Sequence, residues 1–550
     1  MVVEYLEGRP RSELNQDTTE HQHSKAILTP LLSVSECWRA AALSSICDHC
    51  ELTFDHRHQV TKVTIPALPA DFSYRGFRQA PLVKRVMVTA NLWRDMCDGA
   101  FCKTMSTVLY ESLLFPSASV LWVCLDEDKD EDYDSDSDSD SDSEITQEQV
   151  TRFSRSLLKL VPNATCVAVK LLVINNSVPN YRQLYDVLIL ELCYERVSKL
   201  DVYSDQDIKP LSLGLHSVCE LSRIFLGPAV SCAPFVHLAY RNAGTLEVLD
   251  IERVEESDWR NLIYGSTDVP ATYTNLTYFD IHILDVPYSS TWAAIADTTP
   301  FPILSSLGIY DYYPFDDDVL FRGNGGTLQY LCIPFSALAR SVFGRFDIFK
   351  RSGVRRMNRI SIGKVTNEDD AFLEGNADGH IGRSLQRVYE VAATLRVKND
   401  SSERHMFNAL KSAPRLANIQ HLYFSRETFK LDDLVCLVAA LPSLVSISCT
   451  VSGIGPEIEA ISEDKRPSSL RTKHYPLSNN FRKLRILNSS NIPTQDIAYI
   501  GMLLAVLCPK FGHVDLSSEL RYMFNREIAW AMINDPFRPY SSCLERLVYR

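Results

Sequence analysis

A short hydrophobic pattern recurs along this chain and limits its fold more than any other feature. The pattern is an aliphatic residue, two others, an aliphatic, one other and an aliphatic. Clear copies are LEVLDI (246–251), LTYFDI (276–281), LSSLGI (304–309), LQYLCI (328–333), MNRISI (357–362), ATLRV (393–397), IQHLYF (419–424) and LVSISC (444–449). Weaker copies are VKRVMV (83–88), LDV (200–202), LSRIFL (221–226), LRILNS (484–489), FGHVDL (511–516) and LERLVY (544–549). The copies from 246 to 357 start 30, 28, 24 and 29 residues apart, which predicts one β-strand in each of a series of similar units.

Stretches between the copies carry apolar residues at helical spacing, as in DLVCLVAALP (433–442) and IAYIGMLLAVLC (497–508). One strand and one helix cannot bury their apolar faces alone, whereas stacked copies form a continuous core. The pattern resembles the leucine-rich repeat, and this resemblance implies an α/β fold, an irregular solenoid with parallel strands on one side and helices on the other. The alternative is an α/β domain with several similar strands.

The chain departs from regular leucine-rich repeats at the turns. Those repeats carry Asn or Cys just after the strand, where a ladder of side chains satisfies the turn backbone. The corresponding residues here are Val254, Leu284, Tyr312, Ser336 and Val365. We therefore expect other groups to satisfy the turns. The glycine-rich RGNGGTL (322–328) lacks the Gly-Lys-Ser/Thr of a phosphate loop and is predicted to be one such turn.

Charge is concentrated in one segment. The net charge is −13, but DEDKDEDYDSDSDSDSDSE (126–144) contributes −11 of it. Like charges separated by Ser cannot bury apolar area, so this segment is predicted to be a disordered surface loop between a strand at 119–125 and a helix at 150–161. A basic cluster at Lys350, Arg351, Arg355, Arg356 and Arg359 is one internal candidate for its contact. The remaining chain has no broad basic face, so we expect no nucleic-acid partner.

The predicted compartment is cytoplasmic or nuclear. The beginning of the sequence lacks a basic region followed by an apolar core, and no apolar run approaches the ~18 residues that span a bilayer, so we expect no membrane partner. The 15 Cys are scattered as in a protein with reduced thiols. Cys47, His49 and Cys50 have zinc-like spacing, but no second Cys pair follows them, so no metal site is predicted.

The segment LLSVSECWRAAALSSICDHCELTF (31–54) resembles the second half of an F-box. The residues that carry the resemblance, and that would dock an adaptor, are Leu31, Leu32, Val34, Cys37, Trp38 and Leu43. VVEYL (2–6) looks like the end of the first F-box helix, but the usual Leu-Pro opening is missing and a polar insert at 7–24 separates the halves. The alternative is that this segment caps the first repeat.

The resemblance implies a protein that binds others and catalyses nothing. An F-box holds a Skp-type adaptor, the repeats hold a target protein on their concave face, and a cullin-RING ligase of the SCF type transfers ubiquitin to the target. The chain would then be a substrate-recognition subunit, and a repeat scaffold with a vestigial box is the alternative. No catalytic motif and no cofactor motif stands out, so we expect neither an enzyme nor a cofactor.

The same resemblance predicts where a target binds. In each strand the aliphatic residues point into the core, so the residues between them face the open side of the sheet. Aromatic residues and Arg are enriched at interface centres, although Tyr also suits strands wherever it falls. The predicted partner-binding residues are Asp250, Glu252, Tyr278, Asp280, His282, Tyr310, Tyr330, Arg359, His421 and Tyr423.

These predictions divide the chain into four parts. Residues 1–55 are predicted to be a partial F-box-like helical segment and 56–125 the first part of the solenoid. Residues 126–148 are the disordered acidic insertion, and 149–550 are the remaining solenoid, with 453–480 as the place where a break would fall.

Overall fold

The structure is a computed structural model that describes part of the chain. The described residues are 49–55, 60–64, 82–90, 115–125, 146–171, 181–193, 196–204, 220–227, 230–265, 269–284, 291–295, 298–315, 318–339, 356–363, 380–397, 418–453, 480–487, 504, 508, 510–511 and 513–516. The F-box-like residues 31–43, the acidic run and the pattern copy at 544–549 lie outside them. The chain forms two compact units, residues 1–271 and 272–550.

The first unit alternates strands and helices around a parallel sheet. Its elements are β1 (His49–Asp55), β2 (Val60–Thr64), β3 (Arg85–Ala90), β4 (Val120–Leu125), α1 (Gln147–Leu160), β5 (Cys166–Leu171), α2 (Tyr181–Leu192), β6 (Lys199–Ser204), β7 (Arg223–Leu226), α3 (Ala233–Arg241), β8 (Val248–Ile251) and α4 (Glu256–Tyr264). Strand β1 and strands β3 to β8 pair in parallel in chain order, and β2 pairs antiparallel with β1.

The second unit has the same organisation with more strands. Its elements are β9 (Tyr278–His282), β10 (Ser306–Tyr310), a 3-10 helix (Val319–Phe321), β11 (Tyr330–Ile333), α5 (Ser336–Ala339), β12 (Met357–Ile362), α6 (His380–Val391), β13 (Ala392–Val397), β14 (His421–Lys430), α7 (Leu431–Ala440), β15 (Ser446–Gly453), β16 (Lys483–Ile486) and β17 (His513–Leu516). Strands β9 to β17 pair in parallel in chain order. Every pattern copy within the described residues contains a strand, and the α/β class is confirmed.

The aliphatic positions of the pattern form the core. Register places them side by side on neighbouring strands, and they are buried. In the first unit the central row is Val86, Leu121, Val167, Leu200, Ile224 and Leu249. In the second unit it is Phe279, Leu307, Leu331, Ile360, Leu395, Leu422, Ile447, Leu484 and Val514. Full burial of such a side chain stabilises the fold by roughly 1.5–3 kcal/mol, so this row is what holds each sheet together.

Helix α1 shows why the sequence forms helices between strands. Its N-terminus is closed by a capping box, in which Thr146 and Gln149 satisfy each other's backbone N–H groups. Its buried side chains recur at helical spacing and include Val150, Phe153 and Leu157. The helix begins at Gln147, inside the segment 126–148 that was predicted to be disordered. No helix in the described part of the chain is long and apolar enough to cross a membrane.

Hydroxyl groups add side-chain hydrogen bonds to backbone carbonyls just before the strands of the first unit, which also accept backbone N–H groups. Thr165 donates its side-chain hydrogen bond to the carbonyl oxygen of Ser119, Ser198 donates to that of Thr165, and Ser222 to that of Ser198, over 3.4, 3.4 and 3.2 Å. In the second unit Ser305 donates to the carbonyl oxygen of Thr277 over 2.9 Å. These residues precede the strands, so the expectation about the turns that follow the strands stays a prediction.

Two buried Asn residues complete this arrangement, one in each unit. Asn242 and Asn324 each stand four residues before the first Leu of a pattern copy, in the sequences NAGTL and NGGTL. Asn242 Nδ2 donates to the carbonyl oxygen of Leu238 over 2.9 Å, and its Oδ1 accepts from the N–H of Leu221 over 2.8 Å. Asn324 Nδ2 donates to the carbonyl oxygen of Leu320 over 2.7 Å. RGNGGTL is therefore a turn, as predicted.

Candidate functional site

The candidate site is the open face of the second unit, opposite the buried aliphatic row. Register places its residues in two parallel rows. The first row is Tyr278, Ser306, Tyr330, Arg359, Thr394, His421, Ser446, Lys483 and His513. The second row is Asp280, Gly308, Cys332, Ser361, Arg396, Tyr423, Ser448, Arg485 and Asp515. Neighbouring residues of a row lie on strands about 4.8 Å apart, so each row is a continuous strip of residues across the sheet.

Eight of the ten predicted partner-binding residues lie on this face, six of them in the two rows. His282 and Tyr310 continue the same face at the carboxyl ends of β9 and β10. Asp250 and Glu252 belong to the first unit, where Asp250 is half-buried on β8. Glu252 is only 5% exposed, so it is held within the fold, and its prediction as an open contact residue is corrected.

One end of the face is a cluster of phenols around a carboxylate. Tyr278 and Tyr310 both donate their hydroxyl hydrogens to Asp280 Oδ2, over 2.6 and 3.0 Å. Burial raises the pKa of Tyr310, and the nearby Cys332 and Asp280 raise it further, so the phenol stays protonated and remains a donor. Asp280 is 8% exposed, so it organises the two tyrosines and is itself largely covered.

Gly308 makes room for this cluster. A Cβ atom at Gly308 would lie 2.2 Å from Asp280 Oδ1 and 2.7 Å from Tyr310 Cε2. Any side chain there would displace the carboxylate from between the phenols. The backbone of Gly308 is ordinary β-strand, so the glycine is required by the close approach of its neighbours.

Aromatic rings extend the cluster at its edge. The ring of His282 stacks on that of Tyr310, with centroids 4.2 Å apart, and His282 Nδ1 lies 3.4 Å from Asp311 Oδ2. On the neighbouring strand β11, Tyr330 is 45% exposed and is the most open tyrosine of the two rows. This end therefore offers flat ring surfaces and fixed polar groups to a partner.

Two arginines mark the middle of the face. Arg359 Nε donates to Ser361 Oγ over 3.2 Å, and the guanidinium of Arg396 lies 4.5 Å from the ring centroid of Tyr423. Burial lowers the pKa of Arg359, and the positive charge of Arg396 lowers it further. Within the described residues neither arginine pairs with a carboxylate, and Arg396 Nε is buried without a hydrogen-bond partner.

The far end of the face combines a Ser–His pair with a small ion-pair network. His421 Nδ1 lies 2.8 Å from Ser446 Oγ, and burial lowers the pKa of His421. A nucleophile–base pair also needs a third group to orient the base, and within the described residues no such group contacts His421. Beyond it, Asp515 Oδ2 lies 3.2 Å from Lys483 Nζ and 3.8 Å from Arg485 Nε.

The open face of the first unit has a different character. Trp122 stacks on Tyr203 with centroids 5.8 Å apart, and Tyr203 packs on Phe225 at 5.0 Å. Arg223 Nε forms an ion pair with Asp201 Oδ1 at 3.1 Å. The three aromatic rings therefore cover one another, and Asp201 pairs with Arg223.

The predicted adaptor-docking residues lie outside the described residues, so the structure says nothing of their contacts. The open face also carries Arg396, Lys483 and Arg485, which are not among the partner-binding residues predicted from the sequence. The signal was present for Arg396 and Arg485, because both stand between aliphatic residues of a pattern copy, in LRV and LRI. The same rule had selected Asp250 and Tyr278.

Comparison of the chain with family models and with curated proteins finds no match to either.

Proposed function

We propose that this chain is a non-catalytic protein-recognition protein, built as an irregular leucine-rich-repeat-like solenoid, that selects a target for an SCF-type ubiquitin ligase. The observation that carries the recognition role is the pair of side-chain rows on β9 to β17. They place Tyr, His and Arg side chains on one continuous surface. Aromatic residues and Arg are the side chains that most often dominate binding at protein interfaces.

Binding of a partner by the second unit requires no catalytic reaction on its surface. The tyrosine end is pre-organised, since Asp280 fixes the phenols of Tyr278 and Tyr310 before a partner arrives. A pre-organised surface loses less conformational entropy on binding, which favours affinity. Tyr330, exposed and flanked by Ser306 and Arg359 across the sheet, is the side chain best placed to anchor a partner.

The adaptor role rests on the resemblance of residues 31–43 to an F-box. In this proposal the segment binds a Skp-type adaptor, and the open face holds the target near the ubiquitin-loaded enzyme. The chain then acts by raising the effective concentration of the target, with no bond made or broken by its own residues.

The adaptor role is tested by pull-down of purified chain with a purified Skp-type adaptor. We expect binding by the intact chain, weaker binding by Trp38→Ala and none after deletion of residues 1–45, which leaves β1 intact because that strand begins at His49. Tyr330→Ala is the matched control, because it removes an aromatic ring from the open face, and it should bind the adaptor normally. A folded intact chain that does not bind would contradict the adaptor role and leave a protein-binding scaffold.

A further inference from the structure

The open face of the second unit carries a cationic stretch between two aspartates. Asp280 opens the second row on β9, and Asp515 closes it on β17. No Asp or Glu occupies either row between them, whereas Arg359, Arg396 and the pair Lys483 and Arg485 do. Among the residues that the structure describes, only the last pair has a carboxylate, that of Asp515, within 4 Å.

Arg359 and Arg396 are held in place as if to receive an anion. They lie on the adjacent strands β12 and β13. Ser361, which accepts a hydrogen bond from Arg359, is the register neighbour of Arg396. The ring of Tyr423 supports the guanidinium of Arg396, which still has a buried, unused Nε–H donor. Two neighbouring half-buried cations repel each other, and an anion placed between them would relieve that repulsion.

The spread of the cations indicates the kind of anion. From β12 to β16 the strip covers four strand intervals, about 19 Å at about 4.8 Å each. A single carboxylate or phosphate meets only one guanidinium pair, whereas an extended peptide of about six residues spans the strip and presents several acidic side chains. An extended acidic peptide therefore matches both the charge and the length of the strip.

We propose that the strip formed by Arg359, Arg396, Lys483 and Arg485 binds an acidic peptide segment of a partner protein, rich in Asp or Glu. Arg359 and Arg396 are its central contacts, with Ser361 positioning the first and Tyr423 the second. The proposal deepens the proposed function, and rests on it only in taking this face as the recognition surface. Adaptor binding plays no part.

The test is direct binding of a fluorescently labelled hexaglutamate peptide to the purified full-length chain, followed by fluorescence anisotropy. We expect saturable binding that weakens as salt is added, because exposed charges are screened. Arg359→Gln/Arg396→Gln should weaken binding by roughly tenfold to a hundredfold, the range expected when one or two charge-assisted hydrogen-bonded contacts are lost. Arg359→Lys/Arg396→Lys, which keeps the charge but loses the planar fork, should fall between this variant and the unmodified chain.

Arg152→Gln/Arg155→Gln is the matched control. It removes two arginines whose side chains are each 67% exposed on α1, so the net charge changes by the same amount away from the strip. Circular dichroism shows whether each variant is folded, and the Lys variant provides the test if the Gln variant does not fold.

Three results would overturn the proposal. The first is a folded chain that does not bind the peptide. The second is equal weakening by the strip and control variants, which would indicate general attraction of charge. The third is tighter binding of an otherwise neutral peptide with one phosphoserine than of hexaglutamate, which would make the arginine pair a phosphate receptor. Because no adaptor is present in this assay, its failure is distinguishable from failure of the adaptor pull-down.

Discussion

The two units share one backbone design but use the open face of the sheet differently. In the first unit Trp122, Tyr203 and Phe225 pack on one another, and Phe225 is only 5% exposed. In the second unit the corresponding strip carries hydrogen-bonding and charged groups, and Tyr330 is 45% exposed. Burial of the aliphatic row therefore determines the fold of both units, while the open face can contribute stability or recognition.

This difference follows from residue type at positions that the fold leaves free. Aromatic side chains on adjacent strands gain by covering each other, and pairs of this kind stabilise a protein by about 0.5–1.5 kcal/mol beyond the area they bury. Arg and Tyr side chains that neighbouring groups hold in place can instead remain available to another molecule. The comparison therefore predicts a mainly structural face in the first unit and, under the proposed function, a recognition face in the second.

The largest expected effect distinguishes the two faces by stability. Phe225→Ala should lower the free energy of unfolding by about 3 kcal/mol, because it removes a buried ring and leaves a cavity in the aromatic patch. Tyr330→Ala should change it by less than about 0.5 kcal/mol, because the ring lies at the surface. Chemical denaturation followed by circular dichroism measures both. Similar losses for the two variants would contradict the division of roles.

A second variant tests how the tyrosine end is built. Gly308→Ala should cost about 1–3 kcal/mol, because the new Cβ displaces Asp280 from the phenols of Tyr278 and Tyr310. Gly326→Ala is the matched control, since its Cβ would meet nothing within 4 Å and should change stability little. Thermal unfolding compares them. Equal midpoints would show that the close approach at Gly308 is not required.

A third prediction concerns what the units have in common. Asn242→Ala and Asn324→Ala should each cost about 1–3 kcal/mol, because the first leaves the buried N–H of Leu221 without its acceptor and the second leaves the carbonyl of Leu320 without its donor. Asn163→Ala removes an exposed Asn that donates to the carbonyl of Pro116, and it should cost much less. Urea unfolding of the three variants gives the ranking. A large loss at Asn163 alone would reverse it.

The smallest expected effect is a pH dependence. Burial lowers the pKa of His421 below its unfolded value of about 6.5, so the unfolded chain binds more protons between the two values. This residue therefore contributes stability above pH about 6.5 that is lost as the pH falls through the window towards the folded pKa. NMR titration of the imidazole should show a midpoint below that of the denatured chain. His421→Gln should remove this share of the slope of stability against pH.

Much of the fold could be predicted from the sequence because burial selects residue type directly. The copies LEVLDI and LTYFDI lead into β8 and β9, and VTRFSRSLLKLV falls mostly within α1, since alternation and helical spacing place apolar atoms on one side. The open-face positions followed from the same alternation. The position of Tyr278 or Arg359 on that face required nothing beyond the local pattern.

The contacts among those residues could not be predicted in the same way. The hydrogen bond from Tyr310 to Asp280 joins residues 30 apart, and it depends on the register of β9 against β10 and on Gly308. The proximity of Arg359 and Arg396 likewise depends on the register of β12 against β13. The length of the segment between two strands does not determine their register, because loops of many lengths close at similar entropic cost.

The central claim is that the second unit recognises a partner through its open face. Its most direct test uses a partner protein that is purified together with the intact chain. Calorimetry then measures the affinity of this partner for three forms of the chain: unmodified, Tyr330→Ala/Arg396→Gln and Lys84→Ala. The unmodified chain should bind. Tyr330→Ala/Arg396→Gln should bind at least about tenfold more weakly, because central interface contacts are lost. Lys84→Ala changes an exposed residue of the first unit and should bind within about twofold of the unmodified chain. Unchanged affinity for the Tyr330→Ala/Arg396→Gln variant, with that chain folded, would contradict the claim.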